Sequence, residues 1–376
     1  MKIILPIFVF ICMLTNCTAS SLQDRVISDG SIKISLSDEN LVTYLHDTTV
    51  LKFIRIVKLE TMEKSFLRKI DKIYVHHDTI FVFDKSLNKI FIFNPEGKYL
   101  SSIQRLGKGP FEYLNAMDFC LDTVKRQIIL LCDRPYKFIR FDFNGNPIKE
   151  YSINELFLNI AIDDNWIYCN RPDEINRTKN DHYEFVFLDM GFNVLSNSIP
   201  TRKITNTVFY RGNCLSSSKS VYYTRRFENA IYQVERNTIS QKYIIDFAKY
   251  SMPAYLIEKN AIEFSKIVRD REYVYSILNV LETDHHLLFG TNLGIFVYHK
   301  SNKKMKGYKS VFNTKIKMGT NSFLPVGCSD NWLVTFIKPE ILTMIKEKGS
   351  DNREALNLAK DVDEEDNPIL CFYKLK

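Results

Sequence analysis

The sequence lacks the short motifs that identify many enzyme classes. It has no H-E-x-x-H pair, no nucleophile elbow and no Rossmann glycine fingerprint. The segment from Gly107 to Tyr113 is rich in glycine and contains Lys108, but it has neither the spacing nor the strand-to-helix context of a phosphate-binding loop. We interpret it as a sharp backbone turn, with Lys108 kept as a candidate ligand contact.

Motifs that bind metal ions are also missing. No C-x-x-C pair occurs, so a zinc site is not predicted. The neighbours His76 and His77, like His285 and His286, would point to opposite sides of an extended chain and could not close on one ion. The acidic run at residues 361–366 lacks the glycine and the spaced glutamate of a calcium loop, which predicts a solvated loop. The sequence therefore predicts no metal and no cofactor.

Cysteine is sparse once the N-terminal region is set aside. The six cysteines after Cys17 are Cys120, Cys132, Cys169, Cys214, Cys328 and Cys371. Five of them lie in apolar, strand-like stretches, where cysteine commonly serves as a small buried side chain. A disulfide between Cys120 and Cys132 stays open on sequence grounds, because an exported compartment permits one.

The only long apolar run, from Ile3 to Leu14, is too short for the roughly 20 residues that span a bilayer. A charged start, this run and a small-residue end are typical of a secretory signal. Leu14 to Cys17 resembles a bacterial lipobox, which predicts a signal peptide over residues 1–17 and a lipid on Cys17. Asn16 departs from that pattern, and ordinary cleavage after Cys17-Thr18-Ala19 is the alternative. The expected location is the cell envelope, anchored to the outer membrane and facing the periplasm or the cell surface.

Charge is weak and evenly distributed. The formal net charge is +7, and residues of both signs alternate without a basic block. Nucleic acid is therefore excluded as a partner, and the membrane is expected to be contacted through the lipid anchor only.

What the sequence does contain is a repeat of short apolar strands separated by Asp, Asn and Gly turns. The clearest unit has four strands between Lys72 and Leu106, with Asn94-Pro95-Glu96-Gly97 as its third turn. The second strand of this unit, which starts at Ile80, recurs five times. The copies are Ile129–Asp133, Trp166–Asn170, Val221–Arg225, Leu287–Thr291 and Trp332–Phe336. Six four-stranded units predict an all-β, six-bladed propeller with a few helical insertions on one face.

The ends of the repeat predict how the ring closes. After the sixth second strand there is room for only one more strand, Ile369 to Lys376, so that blade lacks its outer edge. Leu51 to Leu59 can supply it, which makes residues 51–376 the propeller and residues 18–50 an N-terminal linker segment. A β-sandwich is the competing fold, but it does not explain a recurrence of this length.

These features resemble the six-bladed β-propeller lipoproteins of Gram-negative anaerobes, which are similar in architecture to NHL-repeat propellers. The resemblance rests on Ile70 to Ile73, His77 to Asp84 and Gly107 to Tyr113, and it extends over residues 32–376. In that family a glycine more often stands where Phe111 is found here. The resemblance implies a fold and an exported location, and no activity.

The longest insertions predict which face of the propeller is used. They span residues 171–182, 248–272 and 338–368, and each follows a second or a fourth strand, so all emerge on one face. Pro253 to Asp270 and Pro339 to Lys360 are predicted to be helical and could cover the channel. Arginines near the ends of second strands on this face are the candidate ligand contacts: Arg134, Arg171, Arg225 and Arg226.

Together these patterns favour a binding or scaffold propeller over an enzyme. The expected partner is an acidic glycan, a peptide or a protein, because arginine can donate two parallel hydrogen bonds to a carboxylate or sulfate. Alternatively, the arginines pair with acidic residues of the insertions, such as Asp173, Glu174 or Glu258. The second hypothesis for function is a metal-dependent hydrolase or lyase on the propeller axis, whose candidate carboxylates are Asp118, Asp122 and Asp163.

Overall fold

Six antiparallel blades form a ring in the computed structural model, and the last two are joined into one continuous sheet. The structure describes residues 26–27, 30–38, 40–77, 79–172, 183–202, 214–217, 220–324 and 332–376. Four strands precede the first blade: β1 (Val26–Ile27), β2 (Ile32–Ser35), β3 (Val42–His46) and β4 (Leu51–Lys58). The predicted six-bladed propeller is confirmed.

Each of the first three blades contains four consecutive strands. Blade one is β5 (Lys72–His76), β6 (Thr79–Asp84), β7 (Lys89–Phe93) and β8 (Tyr99–Ile103). Blade two is β9 (Asn115–Asp122), β10 (Gln127–Asp133), β11 (Lys137–Asp142) and β12 (Pro147–Ser152). Blade three is β13 (Asn159–Ile162), β14 (Ile167–Asn170), β15 (Tyr183–Leu188) and β16 (Val194–Pro200).

The last three blades follow the same order. Blade four is β17 (Leu215–Ser217), β18 (Val221–Thr224), β19 (Ala230–Glu235) and β20 (Thr238–Asp246). Blade five is β21 (Ile277–Glu282), β22 (His286–Thr291), β23 (Gly294–His299) and β24 (Lys304–Asn313). Blade six is β25 (Met318–Leu324), β26 (Trp332–Ile337) and β27 (Ile369–Leu375), completed by β4.

The second strands are apolar on both sides because they lie inside their sheets and between neighbouring blades. In β6 all residues from Ile80 to Asp84 are buried, and in β10 those from Ile128 to Cys132 are buried. Such continuous burial explains why these strands were the part of the repeat most visible in the sequence. Their phenylalanine, isoleucine and cysteine side chains fill the spaces between blades.

The turns between third and fourth strands in blades one to three share one pattern of side-chain-to-backbone hydrogen bonds. Asn94, Asp142 and Asp189 each accept, through one side-chain oxygen, hydrogen bonds from the backbone N–H groups two and four positions later, at 2.8 to 3.1 Å. Short polar side chains favour such turns because they satisfy backbone donors locally. The recurrence of this turn supports the repeat that the sequence indicates.

The N-terminal strand β4 completes blade six. β4 pairs antiparallel with β27, from Leu51 opposite Leu375 to Lys58 opposite Ile369, and is the outer strand of the blade that contains Trp332. The edge of β27 is thereby covered.

The segment predicted as a linker also contains strands. β1 and β2 run parallel to β20 of blade four, and β3 runs parallel to β24 of blade five. We call strands β1 to β4 the N-terminal strap, because together they follow the outer edges of three successive blades. The ring is thus held from outside as well as by its own closure.

In the part of the chain that the structure describes, three helices interrupt the strands, and all follow second or fourth strands. Ala248–Tyr250 and Ala254–Glu258 form 3₁₀ turns, followed by α1 (Ala261–Arg271) before blade five. Blade six carries α2 (Pro339–Lys348) and α3 (Arg353–Ala359) between its second and third strands. The predicted helical segments are present, each broken once. No described helix is long and apolar enough to cross a membrane.

Antiparallel strands place the connections on two opposite faces of the ring. We call the face of α1, α2 and α3 the insertion face, and the face of the turns after first and third strands the hairpin face. On the insertion face, Phe264 and Val268 of α1 pack on Phe227, while Leu342 of α2 and Ala355 of α3 join the core shared by blades five and six. Apolar contacts thus anchor these helices to the ring.

Candidate ligand-binding site

Arg225, one of the predicted ligand contacts, is buried and paired. Its guanidinium donates to both carboxylate oxygens of Glu184, at 2.7 and 2.9 Å, and to the carbonyl of Pro200 at 2.9 Å. Its third nitrogen lies 3.2 Å from Glu228. A bidentate, desolvated pair of this kind links blade four to blade three and uses the donors that a ligand would need.

Arg171 and Arg226 are also buried, with 6% and 5% of their surface exposed. Arg171 forms an ion pair with Glu155 and donates to the side-chain oxygen of Asn197 at 2.8 Å. Arg226 lies over the ring of Phe227. The geometry therefore favours the alternative in which these arginines have structural roles. That alternative expected acidic residues of the insertions as their partners, whereas Arg171 and Arg225 pair with strand and turn residues of the ring. Asp173 and Glu174 lie outside the described residues.

The other predicted contacts are accessible. The Arg134 side chain is 72% exposed, and its nearest carboxylate, that of Asp133, is 3.8 Å away. Lys108 is exposed in its glycine-rich loop, where Glu112 accepts the Gly109 N–H and Phe111 takes a left-handed φ of 58°. That conformation is the one that glycine adopts most easily. Cys17, the predicted lipidation site, lies outside the described residues.

The axial carboxylates proposed for an enzyme have structural partners. Asp118 is almost fully buried and binds the ammonium of Lys72 at 2.9 and 3.0 Å, and it also accepts the backbone N–H of Ile160. Asp122 accepts from Arg140 at 3.1 Å. Asp163 accepts two backbone N–H groups of its own turn and the hydroxyl of Tyr168. Burial and this hydrogen bond raise the pKa of Tyr168.

The histidine pairs differ from the sequence-based argument. His77 has a left-handed φ of 47°, so the chain turns there and the rings of His76 and His77 approach to 4.2 Å between centroids. The expectation that adjacent side chains diverge was wrong at this position, because it assumed an extended backbone. No group of three or more metal-binding side chains occurs in the described part of the chain.

The free cysteines answer the question of a disulfide. Cys120 and Cys132 are both buried and unbonded, although β9 and β10 are neighbours. Cys120 lies opposite Ile129, and Cys132 lies opposite Ala116, so the register keeps the two sulfurs apart. Burial raises the pKa of both thiols. They act as apolar packing groups.

A cavity opens on the hairpin face, at the mouth of the central channel. Its volume is about 680 Å³. Four successive blades line it: residues 74–76 of blade one, 121–124 of blade two, 162–164 of blade three, and 217, 220, 221 and 234–238 of blade four. This volume falls within the range of roughly 300–1,000 Å³ that is usual for ligand pockets.

Local structure explains how polar side chains reach this cavity. The first strands of blades one to four end at its rim, so the residues that follow them, such as Thr123, Asp164 and Ser220, project from turns. The fourth blade adds the β19–β20 hairpin, where Arg236 has a left-handed φ of 52° at the tip. Buried residues such as Leu121 form an apolar floor beneath them.

The carboxylates of the cavity fall into two groups. Asp122 accepts from Arg140 on one oxygen and from the backbone N–H of Lys125 on the other, and Asp163 uses both oxygens in the bonds described above. Asp164 is exposed, and Glu235 receives a hydrogen bond from Gln233 on one oxygen only. Arg236 is exposed too, and in the described residues neither it nor Asp164 is in an ion pair. These groups are available to a ligand.

The sequence analysis placed the candidate site on the insertion face and missed this cavity. Blades one to three supply only one or two polar residues each, at turns whose neighbours are also polar, and blade four supplies the others from two separate turns. A usable signal was present, however. The first strand of blade two ends at Asp122, and the first strand of blade three is followed directly by Asp163. In both blades the next residue is also polar.

Comparison with known proteins shows that the chain matches a protein family. A family model described as Domain of unknown function (DUF4934) matches residues 32–374. No curated protein sequence matches the chain.

Two solved structures share the fold. One is a protein of Bacteroides fragilis NCTC 9343 whose description names it as exported. It has a TM-score of 0.74 and 18% identity, over 92% of this chain and 100% of that chain. The other is a member of the duf4221 family from Bacteroides vulgatus ATCC 8482, with a TM-score of 0.51 and 13% identity over 87% of this chain and 98% of that chain. At such identities the likeness shows the fold alone.

Proposed function

Because the chain belongs to the family described as Domain of unknown function (DUF4934), a name that assigns no activity, we propose its function from the geometry of the cavity. We propose a binding propeller that holds the end of a glycan or peptide at the channel mouth on the hairpin face. The observation that carries this proposal is the convergence of four blades on one cavity of about 680 Å³ with free polar groups at its rim.

The same geometry argues against the axial hydrolase or lyase. A hydrolytic site needs carboxylates that can bind a metal or exchange a proton with substrate. Asp118 is buried against Lys72, and Asp122 against Arg140, which leaves these two groups in structural ion pairs. A binding role therefore accounts for more of the structure than catalysis does.

We further propose that the protein is exported and anchored to the outer membrane through a lipid on Cys17. The support is the N-terminal sequence and the fold that the chain shares with a Bacteroides fragilis protein described as exported. The test is Cys17→Ser, which should release the protein from the membrane fraction and remove the acyl mass from its N-terminal peptide. Unchanged membrane association of the variant would refute the lipid anchor.

The binding proposal is tested by screening glycan and peptide libraries with the whole protein and two double variants. Asp164→Asn with Arg236→Ala changes the cavity, whereas Lys108→Ala with Arg134→Ala changes the exposed cations of the insertion face. We expect the first variant to lose binding at least tenfold and the second to bind as the unmodified protein does. The reverse result would move the site to the insertion face, where the sequence analysis placed it.

A further inference from the structure

Resting on the proposed binding function, we infer that the occupant of the channel-mouth cavity is an uncharged sugar at the end of a glycan. The inference follows from which side chains of the cavity still have free hydrogen-bonding capacity, and from their charges. It replaces the acidic ligand that the sequence analysis expected on the insertion face.

The charges of the cavity disfavour an acidic ligand. Two carboxylates, Asp164 and Glu235, keep free oxygens at the rim, and one guanidinium, Arg236, lies among them. A ligand carrying a carboxylate or sulfate would therefore be repelled on balance. A basic ligand would be attracted to the two carboxylates, and Arg236 would offset part of that attraction. An uncharged ligand is repelled by neither sign of charge.

The uncharged polar groups match the hydroxyl groups of a sugar. Thr123, Ser217 and Asn237 line the cavity, and hydroxyl and amide groups can both donate and accept hydrogen bonds. A sugar hydroxyl also does both. A free carboxylate such as that of Asp164 has two oxygens, so it can accept from two neighbouring hydroxyl groups of one ring.

The apolar part of the lining fits the other property of a sugar ring, its C–H faces. Val124 projects at the rim with 73% of its surface exposed, and the half-buried Ile162 lies at the end of β13. Val75 and Leu121, near the ends of the two preceding first strands, line the cavity but are themselves buried. An exposed valine beside a polar cavity gives a ligand an aliphatic surface to cover. A small inorganic ion would use neither this surface nor the volume of the cavity.

The experiment is calorimetric titration of the whole protein with three sets of oligosaccharides: neutral, acidic, and amine-bearing. Asp164→Asn is the variant, and Asp351→Asn, at an exposed position between α2 and α3, is the matched control. We expect a neutral oligosaccharide to bind, Asp164→Asn to weaken it at least tenfold, and Asp351→Asn to leave it unchanged. Raising the salt from 0.05 to about 0.5 M should change this affinity less than twofold, because no ligand charge is screened.

Four results would overturn the inference, and they separate it from the proposed function. Stronger binding of acidic or amine-bearing oligosaccharides, sensitive to Asp164→Asn, would refute the uncharged sugar and keep the cavity as the site. A basic peptide that binds there, in place of any glycan, would do the same. Neutral binding that Asp164→Asn leaves unchanged, or no binder in the glycan and peptide libraries, would refute both.

Discussion

At the scale of single residues, the ammonium of Lys72 joins three blades near the axis. It belongs to β5 of blade one, binds Asp118 of blade two, and donates to the carbonyls of Phe119 at 3.0 Å and Ile160 of blade three at 3.5 Å. The lysine and aspartate side chains are only 3% and 4% exposed. The buried charges of Lys72 and Asp118 are tolerated there because each is paired with the other and has further hydrogen-bond partners.

Lys72→Met should therefore destabilise the protein by about 3–5 kcal/mol, since it leaves the charge of Asp118 buried without a partner. Adding Asp118→Leu should restore part of this loss. Urea unfolding of both variants measures the effect. The control is Lys69→Met, which removes a pair with Asp71 whose lysine is 59% exposed and should cost less than about 1 kcal/mol. Equal losses from Lys69→Met and Lys72→Met would contradict this role.

Glu282 plays a comparable part between blades four and five. Its carboxylate accepts from Lys300, Lys242 and the hydroxyls of Tyr222 and Tyr243. Burial alone would raise its pKa, but these four hydrogen bonds outweigh burial and lower the pKa to about 2. The carboxylate thus stabilises the fold fully above its ordinary pKa of 4.5, and this contribution is lost as the pH falls toward 2.

Glu282→Gln should consequently lower stability most at neutral pH, with the difference from the unmodified protein shrinking between pH 4.5 and 2. Denaturant unfolding at several pH values in that range measures the difference. Glu96→Gln, at an exposed turn position, is the control and should give a small difference that does not vary with pH. A constant gap for Glu282→Gln across the same range would show that the carboxylate is not linked to folding.

At the scale of elements, the N-terminal strap has two separable structural roles. β4 completes blade six, whereas β1, β2 and β3 add parallel strands to the edges of blades four and five. The strap also covers apolar surface, because Ile34 and Leu45 are buried against those blades. Closure depends on β4, and edge protection of blades four and five depends on the other three strands.

Two truncations separate these jobs. A chain that starts at residue 60 lacks β4 and should aggregate, because the backbone of β27 becomes an open edge that pairs with other chains. A chain that starts at residue 48 keeps β4 and should stay soluble, with a lower melting temperature than the full chain. Light scattering and thermal unfolding distinguish the two. A chain starting at residue 60 that does not aggregate would show that β4 is not needed for closure.

At the scale of the whole molecule, the sequence predicted the ring much better than the site. The second strands were visible because continuous burial demands runs such as Ile128 to Leu131, and closure followed from a missing strand in blade six. The burial of Arg225 in an ion pair was not visible in the sequence. Its partner Glu184 lies 41 positions away in another blade, and no local pattern reports which charges become buried together. The cavity was missed for the same reason, since four blades contribute to it.

The path of the strap sets the order in which the ring can be completed during synthesis. β4 emerges from the ribosome before any blade, but its partner β27 lies more than 300 positions later and is the last of the described strands of the ring. Blade six cannot form until then, so a chain interrupted at any earlier point keeps β4 without its partner. Contacts this distant in sequence are slow to form, and unpaired strands in the meantime are prone to aggregate or to be degraded. Only a chain that extends through β27 can therefore close the ring, so closure by β4 and β27 distinguishes a full-length propeller from an interrupted one.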